Sequence, residues 1–124
     1  KKRENNSWEA LIENGREKTG IDVIDWVKEA EKLGVGEILV TSVDNEGTKK
    51  GYDVNLINNV SKAVKVPVIA CGGLGDIEDI ESILEFNKNI SICGASVFHY
   101  QKFKPYELKN ILSEKGYNLR LEGY

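Results

Sequence analysis

Three short stretches of the 124-residue sequence combine residue types that could handle an anion or a proton. In Cys71-Gly72-Gly73-Leu74-Gly75-Asp76, glycines lead into a helix-like segment. Backbone N–H groups could approach an anion closely there, and the helix would add partial positive charge. The same residues also suit a tight turn that needs positive φ. In Gly94-Ala95-Ser96-Val97, small residues follow the next apolar run. Their backbone donors and the Ser96 hydroxyl could complete one anion pocket without Lys or Arg. In Thr41-Ser42-Val43-Asp44-Asn45-Glu46-Gly47-Thr48, two carboxylates and three hydroxyls follow an apolar run. A carboxylate so placed can act as general acid or base when its surroundings tune it. A solvated acidic loop has the same composition.

Other reactive residues point less clearly. His99 is the one histidine, and between Val97-Phe98 and Tyr100 it reads as structural or surface rather than catalytic. Cys71 and Cys93 lie in apolar, strand-like contexts with no second ligand nearby, which reads as two buried thiols in a reducing compartment. A metal site would need more Cys or His than this. Arg16, Lys18, Lys49 and Lys50 could touch a second anion but fit solvated positions.

The elements that must position these residues repeat a strand–loop–helix order. Trp8–Glu13 reads as a strand closed by Asn14-Gly15, and Arg16–Gly20 as a polar loop. Asp22 caps a helix to about Leu33, with Val23, Trp26, Val27, Ala30 and Leu33 at helical spacing and Gly34 as its stop. Glu37–Thr41 suits a buried parallel strand. Asp53 starts a helix through about Val64, and Val66–Ala70 forms the next strand. A helix then covers about Asp76–Phe86, a strand Ile90–Gly94, and a turn begins at Ala95. The last helix runs from about Pro105, at its first position, to Lys115. This alternation implies an α/β fold with a parallel sheet, either doubly wound or part of a barrel. In both, the loops after the strands carry function.

Apolar residues make up 40% and charged residues 30%, which argues against a disordered chain. The net charge of −3 gives no reason to expect nucleic acid or an anionic membrane as partner. No run approaches the ~18 apolar residues of a membrane span, and no secretory signal opens the sequence. A cytoplasmic location is expected. The sequence begins Lys1-Lys2-Arg3 and contains no methionine, so a piece of a longer polypeptide is expected.

Taken together, these segments resemble the cyclase subunit family of imidazole glycerol phosphate synthase. Thr41–Thr48 with Gly51-Tyr52-Asp53 is similar to its strand-6 block, Ala70–Gly75 to its strand-7 block, and Ala95–His99 to its strand-8 block. Arg120-Leu121-Glu122-Gly123 resembles its tail, and Gly15–Gly20 the loop before its helix 5. The sister isomerase of histidine synthesis lacks the Ala95–His99 block and this tail. The resemblance implies the C-terminal half of a (βα)8-barrel, with residues 1–124 a partial barrel domain from a chain of about 250 residues. It implies an ammonia-dependent cyclase of histidine biosynthesis, a lyase acting on a bisphosphate ribonucleotide. A glutaminase partner would supply the ammonia, and no cofactor or metal is implied. Glu46 falls on a catalytic carboxylate position, where the family has Asp. Gly47, Gly72, Gly73, Ala95 and Ser96 fall on phosphate-binding positions, Thr41 faces the substrate, and Glu37 matches a charged residue of the ammonia gate. Asn14 replaces a small hydroxyl residue near the ligand. The family's other catalytic Asp would stand just before Lys1. A paralogous group that amidates sugars of bacterial surface polysaccharides fits Glu46, Cys71 and Lys104-Pro105 as well. A third expectation is an inert half-barrel that self-associates to cover its sheet edge.

Overall fold

The burial pattern of two short strands decides how the chain folds over itself. In a computed structural model, which describes residues 1–88 and 90–121, β3 (Ile38–Thr41) and β4 (Val68–Cys71) alternate along their length. Ile38, Val40, Val68 and Ala70 are buried beneath helices, whereas Leu39 on the opposite face is 56% exposed. The two strands pair in parallel, Ile38 opposite Val68 and Thr41 opposite Cys71. A third strand, β5 (Ser91–Ile92), joins on the far side of β4, giving the order β3-β4-β5. The chain is therefore α/β with a parallel sheet, as its alternation predicts.

The helices follow their caps. Asp22 accepts the Ile24 N–H at 2.8 Å to start α1 (Val23–Lys32), and Gly34 ends it with φ 94°. Of its expected apolar stripe, Trp26 and Leu33 are instead 48% and 74% exposed, and Val27 is buried. Two other helices cover the sheet, α2 (Val54–Ala63) and α3 (Ile77–Leu84), through Leu56, Ile57, Val60, Ile80, Ile83 and Leu84. The Glu31 carboxylate accepts the N–H groups of Lys65 and Val66, tying α1 to the approach to β4. Pro105 opens α5 (Pro105–Glu114), which buries Leu108 and Leu112.

Two expected loops are regular structure. Arg16–Gly20 is not a loop: Glu17–Asp22 forms β2, antiparallel to β1 (Glu9–Ile12). The hairpin lies on the surface, and no residue of its second strand is buried, so no hydrophobic alternation marks it. Its turn is set by positive φ at Glu13, Asn14 and Gly15. The segment after Ala95 is also not an open turn but one helical turn, α4 (Ser96–His99). No helix among the described residues is long and apolar enough to cross a membrane. Glu122 and Gly123 of the tail block lie outside the described residues.

Asp53 joins the hairpin to the sheet layers. Its carboxylate accepts the Leu56 N–H at 3.0 Å and the indole N–H of Trp8, 6% exposed, at 2.8 Å. Replacing Asp53 with alanine removes a helix cap and strands a buried donor. A loss of about 2–4 kcal/mol in urea unfolding is expected. A loss below ~0.5 kcal/mol would show that neither bond matters.

Candidate functional site

Because β3, β4 and β5 are parallel and adjacent, their C-terminal ends deliver three loops to one end of the sheet. The first two loops interlock through backbone alone. The Gly51 N–H donates to the Gly73 carbonyl at 2.9 Å. A Cβ on Gly73, at φ 106°, would collide with the Gly51 carbonyl, and one on Gly75 with the Lys49 carbonyl. A Cβ on Gly72, at φ 93°, would lie 2.8 Å from the Ser42 carbonyl oxygen and 3.4 Å from Glu46 Oε2. The glycines thus serve a turn and a close approach at once, and Glu46 stands beside Gly72.

Asn45 holds this arrangement, a role that sequence reasoning missed. Its amide donates to the Gly51 carbonyl at 2.8 Å, and it accepts from the hydroxyl of Ser42, only 3% exposed, at 3.2 Å. Thr48 Oγ1 donates to the Asn45 carbonyl, and the Glu46 N–H to the Ser42 carbonyl. An Asn one turn after a strand, ahead of glycine, is the local signal that could have found it.

The N–H groups of Gly72, Gly73, Ala95 and Ser96 have no acceptor among the described residues. They are the donors an anion could use. The start of α3 is not: Asp79 accepts the N–H groups of Gly75 and Asp76 at 2.8 and 2.9 Å, and Asp76 accepts that of Ile77. This corrects the expectation that α3 lends its positive end to an anion, because its own carboxylates already occupy it. Lys102 bonds both Asp76 and the Gly75 carbonyl, linking the segment after α4 to the glycine loop. That ammonium holds the Asp76 carboxyl below its ordinary range.

Thr41, Glu46, Gly47 and Ala95 are exposed at this end, Ser96 is half-buried, and Gly72 and Gly73 are buried. Glu37 is exposed just ahead of β3, at the opposite end of the strand and about 13 Å from Thr41 along it. The structure therefore gathers seven of the expected residues and leaves Glu37 apart. The Lys49 ammonium lies 4.0 Å from the Tyr100 ring centre, bridging the acidic loop to α4. His99 is exposed and meets Tyr100 edge to face, which fits a surface role. Arg16, Lys18 and Lys50 are exposed. Asn14 sits in the hairpin turn next to Gly15, where a Cβ would come within 2.9 Å of Val43 of the acidic loop.

The cysteines are neighbours, and neither is buried: Cys71 and Cys93 are half-exposed, at the ends of adjacent strands, and Cys71 helps to raise the Cys93 thiol. The expectation of two separate buried thiols missed this because strand pairing, not sequence distance, brings them together. Tyr52 is buried behind them and donates its hydroxyl to the Cys93 carbonyl at 2.7 Å. Burial pushes the phenol far above its ordinary range, and the nearby Cys71, Cys93, Asp79 and Glu46 act in the same direction. Tyr52 is therefore a fixed donor rather than a base. Tyr52→Phe should cost about 1–3 kcal/mol in denaturant unfolding, by leaving a carbonyl unpaired. An unchanged midpoint would show that the bond is dispensable.

Among the described residues no group of three or more His, Cys, Asp and Glu could hold a metal ion. A cavity of about 520 Å³ lies beside β5, lined by Leu74, Ile92, Phe98, Leu108 and Leu112. Its lining is mostly apolar, with Lys88 and Lys109 at it, and includes none of Thr41, Glu46, Gly47, Gly72, Gly73, Ala95 and Ser96, so the strand ends remain the better candidate.

The profile of the family described as histidine biosynthesis protein matches residues 1–104. The chain is 46% identical over 121 residues to imidazole glycerol phosphate synthase subunit HisF of Clostridium botulinum strain Okra, covering 98% of this chain and 48% of that protein. The subunit HisF of Dehalococcoides mccartyi strain BAV1 is 43% identical over the same shares. The chain spans about half the length of the curated relatives it matches. The matched residues take in all three strand-end loops, from Thr41 through Ser96, and with them the chain belongs to the histidine biosynthesis protein family.

Proposed function

We propose that this chain carries the last three strands of a (βα)8-barrel cyclase that converts a bisphosphate ribonucleotide, with ammonia, to imidazole glycerol phosphate and an aminoimidazole carboxamide ribotide. The observation that carries this reading is Glu46 beside Gly72, at the same end of the sheet as the unpaired N–H groups of two consecutive strand-end loops. In a barrel, such loops form the active face. In this reading Gly72, Gly73, Ala95 and Ser96 hold a phosphate through backbone donors, helped by the Ser96 hydroxyl and by Gly47. Thr41 faces the substrate. Glu46 moves a proton as nitrogen adds and the ring closes, paired with a second carboxylate. Glu37, at the other end of β3, borders the path by which a glutaminase partner delivers ammonia. A cytoplasmic setting suits such a biosynthetic lyase.

The test is an assay of the full-length protein with ammonium and the histidine-pathway bisphosphate. Formation of imidazole glycerol phosphate is expected, and its absence would end this reading. Glu46, one methylene longer than the aspartate of the cyclase motif, favours a second reading in which the barrel amidates a sugar of surface polysaccharide. Product analysis with a glutaminase and sugar substrates separates the two. The exposed sheet face around Leu39, with open edges at β3 and β5, favours self-association of the 124-residue chain when it is alone and inert. Size-exclusion chromatography would show a dimer or larger species, and a monomer would reject this.

A further inference from the structure

On β4 and β5, Ile69 pairs with Ser91 and Ala70 with Ile92. One step further Cys71 stands level with Cys93, and the Cys93 N–H donates to the Ala70 carbonyl at 2.8 Å. Neighbouring strands run about 4.7–4.9 Å apart, within the roughly 4.4–6.8 Å between Cα atoms that a disulfide requires. Ala70 and Ile92 face the helices, so the next residue on each strand points to the other, open face. There the two side chains stand side by side at the ends of neighbouring strands, half-exposed and within reach of a small oxidant. Their surroundings join the candidate site directly. Glu46 acts electrostatically on both Cys93 and Tyr52, and Cys71 and Cys93 immediately precede the two small-residue loops.

We propose that Cys71 and Cys93 form a reversible cross-strand disulfide that responds to peroxide and shuts the site around Glu46. What is shut rests on the reading given under Proposed function, whereas the bond itself does not. One thiolate attacks a peroxide oxygen, the O–O bond breaks, and hydroxide leaves a sulfenic acid on that sulfur. The second sulfur attacks it, forming the S–S bond and expelling water. In total two thiols and one hydrogen peroxide give one disulfide and two waters. A dithiol reverses the step and is itself oxidised. The bond takes two S–H donors from the floor beside Glu46 and ties the Gly72–Gly73 loop to the Gly94–Ser96 loop. Burial, with the neighbouring Cys71, holds the Cys93 thiol above its ordinary range, so the oxidation quickens as pH rises.

The purified protein is treated with hydrogen peroxide, its remaining thiols are alkylated, and the digest is read by mass spectrometry. A peptide pair joined through Cys71 and Cys93 is expected, two hydrogens lighter than the reduced pair and separated by dithiothreitol. C71S and C93S each abolish it. Sulfinic acid on either cysteine, or links between molecules, without the intramolecular pair overturns the proposal. Turnover of the full-length protein with ammonium should fall at least ~10-fold on oxidation and return on reduction, because displacements near 1 Å cost up to ~100-fold. A disulfide that forms without changing turnover overturns the gating role. A disulfide in a protein whose reduced form has no cyclase activity counts instead against the cyclase reading.

Discussion

Replacing Glu46 with glutamine should slow ammonia-dependent turnover by about 10²–10⁴-fold, the usual loss when a positioned acid–base group is removed. Glutamine keeps the length and shape of the side chain and loses only the ionisable group. The loop should stay in place, since it is held by Asn45, Ser42 and the Glu46 backbone N–H rather than by the Glu46 carboxylate. Steady-state kinetics should therefore show the loss in kcat, with KM for the phosphorylated substrate changed by less than about threefold. An unchanged kcat would remove Glu46 from the chemistry. Glu46→Asp sharpens the test, because it restores the carboxylate of the cyclase motif and shifts it by roughly one bond length. A cyclase adapted to aspartate geometry should gain or keep turnover. A site adapted to the longer side chain should lose it.

Gly73→Ala is expected to cost about 2–5 kcal/mol, the sum of left-handed backbone strain and overpacking. That is a large share of the roughly 5–15 kcal/mol typical of a folded domain. The added methyl would strike the Gly51 carbonyl, which is backbone and cannot swing aside. It would also break the bond between the Gly51 N–H and the Gly73 carbonyl. Gly47→Ala is the control: its φ is also positive, at 74°, but a Cβ there meets nothing within 4 Å. It should cost only about 1–2 kcal/mol. Thermal or urea unfolding of both variants measures the difference. Equal losses would mean that conformation alone, and not the close approach of the loops, demands glycine at position 73.

The sequence made the helices and parallel strands legible because their signals are local. Asp22, Asp53 and Asp76 each cap the helix expected after them, and apolar runs mark β3 and β4. The glycines and the acidic loop were legible as a site because residue types alone single them out. What stayed hidden depends on partners remote in the chain. β2 has no hydrophobic periodicity because four of its six residues are exposed and none is buried. Asp79 is the exception: its partners are only three and four residues away, where it takes the Asp76 and Gly75 N–H donors that an anion would have used. Cys71 and Cys93 are separated by a whole helical crossover, and only the register of β4 and β5 makes them a pair.

The glycine-to-glycine contact between the acidic loop and the strand-end turn also bears on how this site can change over generations. Positions 73 and 75 lie against main chain, and a Cβ at position 51, where φ is 93°, would meet the Asp79 carboxylate, so a saturation library at the three should return almost nothing but the parent residue. Positions 46 to 50 project outward from that frame and are exposed. Variation can accumulate on them one side chain at a time while the scaffold beneath stays fixed, which is how a lineage can trade one reaction for another without passing through an unfolded ancestor.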